Sequence, residues 1–305
     1  MSQNVQPILV FGATGQQGGA VAKALLHAGR PVRVFVRDPR SERALALARA
    51  GAEIAVGSLD DADAVRAAMR NAVGVFSVQP SSPDGTVTDE DEVRYGVQVA
   101  DLAAESGARH LVYSSAAAVG AAPTGVGHFD SKARIEAHVR TLPIAWTIVR
   151  PATFMEMLAM PGLGLEQGRF SFFPAPDQSM QLIAVEDVGR IVADVFADPV
   201  RYSGATFEVA GDMVTGRDLA RHLMQATGRP IAYSRFPDGV LDATPLLAKL
   251  TALLDAGPLA GHADIASLRR DHPGLQTIED WLRHDGRAAF ATAPEHADGR
   301  TDPNR

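Results

Sequence analysis

The sequence predicts an α/β protein: a doubly wound parallel sheet with helices on both faces, followed by a smaller α+β C-terminal unit. Three observations predict it. In the first half, short apolar runs alternate with helix-length stretches; the first run ends in a glycine trio that opens a helix; and after Pro151 the rhythm gives way to PGLGLEQGRFSFFPAPDQ, rich in glycine, proline and phenylalanine. Strands separated by helices of this length need right-handed crossovers, and so a parallel sheet covered on both sides.

Taken in order, Ile8 to Phe11 is a strand and an alanine-rich helix runs from it to about His27. Val32 to Val36 is a second strand, with a helix from about Ser41 to Ala50. Glu53 to Val56 and Val73 to Val78 follow, with a helix near Ala62 to Arg70 between them. A long helix covers Asp89 to Glu105, His110 to Ser114 is the fifth strand, the HFDSK stretch opens a helix, and Ala145 to Val149 is the sixth strand. Asp60 and Asp61 are suited to capping the helix after them, and Thr88 with Asp91 makes a capping box, which accounts for the acidic run TDEDE. Beyond Pro151, Glu186 to Phe196 reads as another helix on the sheet, Thr206 to Ala210 as a strand, Gly216 to Ala226 as a helix capped by Thr215, and Ile231 to Arg235 as a strand. Helices near Pro245 to Leu254 and Ile278 to Leu282 complete the chain. The expected division is a nucleotide-binding unit of residues 1–152 plus about 184–200, a substrate or lid unit of about 153–183 and 201–288, and a flexible tail of 289–305.

Composition narrows the function. The 305 residues are 46% hydrophobic and 21% charged, which suits a globule with a sizeable core. There are no cysteines, which excludes disulfides, cysteine-bound metal and a thiol switch. At a net charge of -7 the basic residues are spread out, so no direct nucleic-acid binding is expected. No apolar run suggests a membrane span, and the N-terminus lacks the features of a signal peptide, so the expected location is cytoplasmic. There is no GxSxG or HExxH motif, and the spacing of His262, Asp264 and His272 does not make a metal site.

The segment VFGATGQQGGAVAKALL sets Gly12, Gly15 and Gly18 between a strand and a helix. Glycines let the backbone turn tightly and approach a pyrophosphate, whose charge the helix N-terminus stabilises. Thr14, Gln16 and Gln17 lie within the same loop. The second strand ends VFVRDPR, where Arg37, with Arg40 close by, suits the 2′-phosphate of NADP(H); Asp38 in another register would serve the ribose of NAD(H), so that cofactor stays possible. Ligands bind at the carboxyl ends of parallel strands. By that topology Ser58 and Leu59 belong near the adenine, Val78 and Gln79 near the ribose, and Ser114 near the nicotinamide.

These pieces, with GSLDD, VYSSAAA, HFDSK, VRPATFMEML and AVEDVG, occur in an order that resembles the NmrA-like branch of the atypical short-chain dehydrogenase/reductases, from about residue 8 to 190 and more loosely to about 284. The resemblance implies a Rossmann fold and a bound nicotinamide nucleotide. It leaves catalysis open, since some members are redox sensors or transcriptional co-regulators and others look like reductases of quinones, dyes or phenylpropanoid compounds. Where many relatives of this enzyme class place a tyrosine, four positions before Lys132, this chain has His128. Histidine is another acid with an ordinary pKa near 6.5, yet the family's sensors also resemble HFDSK here, and His128 is equally a helix-start residue packing locally. Lys132 is expected to hold the cofactor ribose and to be a candidate general acid; Pro151, Thr153 and Phe154 are expected beside the nicotinamide carboxamide. Tyr113 lies near the site by topology, and its place in the middle of VYSS equally suits a side chain turned into the sheet. Met155, Met157, Met160, Phe170, Phe172 and Phe173 suit either an apolar substrate pocket or a second hydrophobic core. Two functions stay open: an NADPH-dependent reductase of a small apolar compound, and a non-catalytic NADP(H) sensor acting through a partner protein.

Overall fold

A computed structural model of the chain describes residues 6–81, 86–287 and 290. The tail expected for 289–305 lies, apart from Phe290, outside the described residues. Six strands come first, at Ile8–Val10 (β1), Val32–Val36 (β2), Glu53–Val56 (β3), Gly74–Ser77 (β4), His110–Ser114 (β5) and Ala145–Pro151 (β6). Between them run helices Gln16–His27 (α1), Glu42–Arg49 (α2), Ala62–Met69 (α3), Asp89–Glu105 (α4) and Gly127–Val139 (α5). After Pro151 come Thr153–Phe154 (β7), two 3-10 turns, Arg169–Phe172 (β8), Ser179–Ile183 (β9), and the helices Val185–Ala197 (α6) and Pro199–Tyr202 (α7). Ala205–Val209 (β10), Asp212–Thr215 (β11), Gly216–Thr227 (α8), Ala232–Arg235 (β12), Asp238–Ala243 (α9), Pro245–Asp255 (α10), Ile265–Asp271 (α11) and Ile278–Arg283 (α12) complete the order.

The main sheet has the strand order β10-β6-β5-β4-β1-β2-β3, and its pairs are parallel. Because successive side chains of a strand point to opposite faces, the sheet has two cores. Ile8 and Val10 meet Val21 and Leu25 of α1 and Val188, Ile191 and Val195 of α6 on one face. Leu9, Leu111 and Tyr113 meet Val65 and Met69 of α3, Val99 of α4 and Ile135 of α5 on the other. Each such fully buried aliphatic side chain contributes about 1.5–3 kcal/mol of transfer free energy.

The strand near Thr206, expected in the smaller unit, is instead the seventh strand of the main sheet, β10 pairing with β6 from Ala205↔Thr147 to Val209↔Pro151. Its side chains alternate no more clearly than those of other edge strands, so the pattern does not say which sheet receives it. A three-stranded sheet, β11-β9-β7, and a two-stranded sheet, β12-β8, make up the remainder. The methionine and phenylalanine group resolves in favour of a third core: Met155, Phe170, Phe172 and Phe173 are buried there with Trp281. Met157 lies at its margin, and Met160 is exposed.

One buried charge ties α5 to the sheet. Glu136, 1% exposed, accepts hydrogen bonds from Nε and Nη2 of Arg150 at 2.8 and 2.7 Å and from Nη2 of Arg140 at 2.6 Å. Burial pushes its carboxyl up, but the guanidinium hydrogen bonds outweigh that and hold the pKa below the ordinary value. A depressed folded-state pKa means stability that is present above the unfolded value and lost as pH falls through the folded one. Glu136→Gln, which leaves Arg150 without its charge partner, should cost about 3–5 kcal/mol at pH 7. In urea unfolding the gap between variant and wild type should close as pH drops below about 4; a gap independent of pH would contradict this role.

Candidate functional site

The site is built around the turn from β1 to α1. Gly12 has φ +65, a conformation that side-chain-bearing residues seldom adopt, and a Cβ there would sit 2.6 Å from Cγ1 of Val78. The Gly15 amide donates to the Gly12 carbonyl at 2.8 Å, closing the turn. Gly18 lies directly over it: a Cβ would come within 2.4 Å of the Gly12 carbonyl carbon and oxygen. The helix that follows has no side-chain cap and no acidic residue in its first turn. Its leading amides therefore face the cleft without an intramolecular anion competing for them.

A cleft of about 490 Å³ opens above this turn at the carboxyl ends of β1 to β4. Its floor is Gly12, Thr14, Gly15, Gln16, Gln17 and Gly18. Arg37 borders it at the end of β2, Ser58 and Leu59 after β3, Val78 and Gln79 after β4, and Phe154 from β7 closes the far side. Twelve of the sequence-predicted cofactor residues therefore meet in one cavity. Gln79 is 7% exposed; its amide donates to Ser77 Oγ at 2.8 Å, while its Oε1 has no hydrogen-bond partner among the described residues. A buried acceptor left unpaired costs free energy, and a hydroxyl-bearing ligand in the cleft would satisfy it.

Five of the predicted residues, and His128, are not part of this lining. Arg40 is displaced: its side chain is 93% exposed, and its backbone amide donates to Asp38 Oδ1 at 2.9 Å. That bond occupies Asp38 in shaping the turn, so neither of them borders the cleft. Ser114 is buried and donates to Gln17 Oε1 at 2.6 Å, locking the end of β5 to the glycine loop. Pro151 is buried in β6, where its carbonyl accepts from the Ala117 amide, and Thr153 pairs with Leu182 in the small sheet.

Lys132 is the largest departure. It is 5% exposed, and its Nζ donates to Oε1 of Glu92, itself 2% exposed, at 2.5 Å. Ser131 Oγ donates to the other carboxylate oxygen at 2.6 Å. Capping explains only part of the TDEDE run: Thr88 and Asp91 form the box, Glu90 receives both Nη groups of Arg134 on α5, and Glu92 reaches inward to Lys132. The sequence carried half of this signal, a buried carboxylate but not the identity of its partner. Glu92, Gly96, Val99, Ala100 and Ala103 form the buried stripe of α4, and a carboxylate in a helix's inward stripe requires a buried cation.

His128 shares a 2.8 Å hydrogen bond, through Nδ1, with Ser81 Oγ. Desolvation, and after it the ammonium of Lys132, lower its pKa to about 3. The residue is nonetheless exposed, so the direction carries the point: its surroundings disfavour the imidazolium form. Tyr113 is 1% exposed within the core below the sheet, and its pKa is raised far above the ordinary value by burial, then by Glu92 and Glu136. Its hydroxyl has no partner among the described residues. Tyr113→Phe should therefore change any turnover less than about twofold, because no buried partner is orphaned by the loss; a large fall in kcat would place the phenol in the reaction after all.

Three neighbours of the cleft escaped the sequence reading. Asp61 alone caps α3. Asp60 instead accepts from the Tyr95 hydroxyl at 2.7 Å and from Arg94 at 3.0 Å, and Asp60 and Tyr95 line the cleft beside Leu59. Arg43 on α2 donates to the Thr14 carbonyl at 2.8 Å, bracing the loop. Their contacts join residues 29 to 35 positions apart, which no local pattern reveals. Among the described residues, no group of three or more His, Asp or Glu side chains is placed to hold a metal ion. None of their helices is long and apolar enough to cross a membrane.

The strand order, the glycine turn and the cleft at the strands' carboxyl ends define a protein of the Rossmann class. The chain belongs to the NmrA-like family, whose model matches residues 4–255. It is similar to the (4-alkanoyl-5-oxo-2,5-dihydrofuran-3-yl)methyl phosphate reductase of Streptomyces griseus, 30% identical over 302 residues, covering 95% of this chain and 98% of that one. It is 29% identical over 234 residues to the NAD(P)H azoreductase of Xenophilus azovorans, covering 74% and 76% of the two chains. Its fold matches the crystal structure of NmrA, a negative transcriptional regulator in complex with NADP, with a TM-score of 0.74 at 20% identity over 92% of this chain and 95% of that one.

Proposed function

We propose that this chain binds NADP(H) in the cleft and is an NAD(P)H-dependent reductase of a small apolar carbonyl, quinone or conjugated compound. The observation that carries this reading is the single cavity joining an acid-free helix N-terminus to Arg37 at one side and Phe154 at the other. The first-turn amides of α1 hold the pyrophosphate, and Arg37 pairs with the 2′-phosphate while Asp38 is occupied by the amide of Arg40. Leu59 and Tyr95 border the base, and Gln79 offers its unpaired Oε1 to a ribose hydroxyl. When bound, the nicotinamide supplies the hydride. Pro80, Val87 and Phe154 give the cleft apolar walls that exclude water and favour an apolar acceptor. Lys132, or a water molecule, supplies the proton to the acceptor oxygen. The relatives named as a (4-alkanoyl-5-oxo-2,5-dihydrofuran-3-yl)methyl phosphate reductase and an NAD(P)H azoreductase support reduction as the chemistry.

A second reading, an NADP(H)-binding regulator without turnover, is favoured by three observations: the pKa of His128 is lowered, Tyr113 is buried, and Lys132 is already paired, all of which work against a free acid at the reaction end. A regulator responds only as far as its affinities for the two cofactor forms differ. The test follows NADPH oxidation against quinones, enones, aldehydes and azo compounds with wild type and Lys132→Ala. The reductase reading expects turnover in wild type that falls at least about tenfold in the variant while NADPH still binds, general-acid contributions being of that order or larger. Tight NADPH binding with no acceptor reduced would replace it with the regulator.

A further inference from the structure

We propose that the edge of the main sheet opposite the cleft is a docking surface for an extended acidic peptide segment of a partner protein. The inference is independent of what occupies the cleft. Because the strands of the main sheet are parallel, every connection that leads into one of them arrives at the same edge. Four of these connections deliver an exposed arginine: Arg49 ahead of β3, Arg30 ahead of β2, Arg70 ahead of β4 and Arg109 ahead of β5. Along the chain they are far apart. In the strand order β5-β4-β1-β2-β3 they form a row with one gap, at β1. The pairings Ile8↔Val32, Ile8↔Gly74 and Gly74↔His110 start these strands level with one another. Neighbouring strands lie about 4.8 Å apart, so the row runs for about 19 Å.

None of the four guanidinium groups makes an ion pair or hydrogen bond with another described residue. Glu53 and Glu105 reach the same edge but face other cations, Arg33 at 2.9 Å and Arg66 at 3.7 Å. Arg140 and Arg201, which enter β6 and β10 there, are paired with Glu136 and Asp271, and Asp198 caps α7. The uncompensated row therefore ends at β5, in a chain whose net charge is -7. Helix C-termini favour cations, which accounts for Arg49 in the last turn of α2 and Arg70 at the cap of α3. That effect fades beyond the last turn, whereas Arg30 and Arg109 lie past the caps of α1 and α4, Ala28 and Ser106.

Guanidinium forks bind carboxylate and phosphate alike, so shape decides the partner. Neighbouring strands are rotated by about 20–25°, and the ends of five strands follow a curved line rather than a plane. A flat membrane surface meets only part of such a line. A nucleic acid extends past the row onto a body that is negative overall. A short extended peptide follows the curve and ends where the row ends. Alternate residues of an extended chain lie about 6.8 Å apart, so four acidic residues at alternate positions span about 20 Å. A partner held there leaves the cleft, at the carboxyl ends of the strands, open.

The test follows the fluorescence anisotropy of a fluorescein-labelled peptide of four Glu-Ser repeats, titrated with the full chain at low and at raised salt. Wild type should bind at low salt and lose the peptide as salt screens the row. Arg30→Gln/Arg49→Gln and Arg70→Gln/Arg109→Gln should each weaken binding roughly fivefold or more, the scale of losing two exposed ion pairs. The charge-matched control Arg217→Gln/Arg221→Gln, on α8 and its exposed face, should change it less than about twofold. All four arginines of the row are exposed, so circular dichroism of the variants should match wild type; should one double variant fail to fold, the other decides. No binding at low salt, or an equal loss in the α8 control, overturns the proposal. Tighter binding, through the same four arginines, of a thymidine oligonucleotide of equal charge or of phosphatidylserine vesicles also overturns it, and assigns the edge to a nucleic acid or a membrane.

Discussion

Alanine at position 18 should weaken NADPH binding by more than about a hundredfold and cost the fold about 1–3 kcal/mol, the range for forcing a methyl into a filled space. The added carbon would lie 2.4 Å from the carbonyl carbon and oxygen of Gly12 and 2.6 Å from the Phe11 oxygen. Those neighbours are backbone, so no side chain can rotate away. The start of α1 must move outward, and with it the amides proposed to hold the pyrophosphate. Because binding is lost through geometry, it should fall further than stability does. Calorimetric titration with NADPH and urea unfolding of the same sample separate the two effects. A Gly18→Ala chain that binds as tightly as wild type would mean that the turn does not contact the cofactor.

The second large effect concerns cofactor choice. Arg37→Ala should weaken NADPH roughly ten- to a hundredfold, the equivalent of losing charge-assisted hydrogen bonds worth about 1.5–3 kcal/mol, while NADH changes less than about twofold. Arg40→Ala should leave both nearly unchanged, since that side chain is almost fully exposed and directed toward Asp38. Paired titrations of the two variants with NADPH and NADH check this. Equal losses for both cofactors in Arg37→Ala would assign the arginine to the turn rather than to a phosphate.

These two residues also mark how far the sequence could be read. The glycine spacing, the strand-to-helix alternation and Arg37 at the end of β2 are local signals, because the physics behind them acts within a few residues: a positive φ, a helix N-terminus, a period of two or of 3.6. The same holds for the caps at Thr88 and Thr215. What could not be read was pairing across the fold. Nothing near Lys132 says that its ammonium meets a carboxylate 40 residues earlier. Nothing near Ser114 says that Gln17 takes its hydroxyl. The destination of β10 was hidden for the same reason, since a short strand without clear alternation fits either sheet and tertiary packing decides. The burial of the methionine and phenylalanine group likewise depends on α12 and Phe290 closing over it.

His128 is instructive in another way. Its sequence position points to an acid, and its surroundings work against that role: desolvation and the neighbouring Lys132 lower its pKa. On the proposed reductase reading the proton comes from Lys132 or from water. The Lys132–Glu92 pair is consequently the point at which the reductase and the regulator readings separate.

The most direct measurement of the central claim is a calorimetric titration of the wild-type chain with NADPH and, in parallel, with NADH. The cleft, the acid-free start of α1 and Arg37 predict one NADPH per chain, bound at least about tenfold more tightly than NADH, a preference of about 1.4 kcal/mol or more. No binding of either nucleotide, or equal affinity for both, would contradict it.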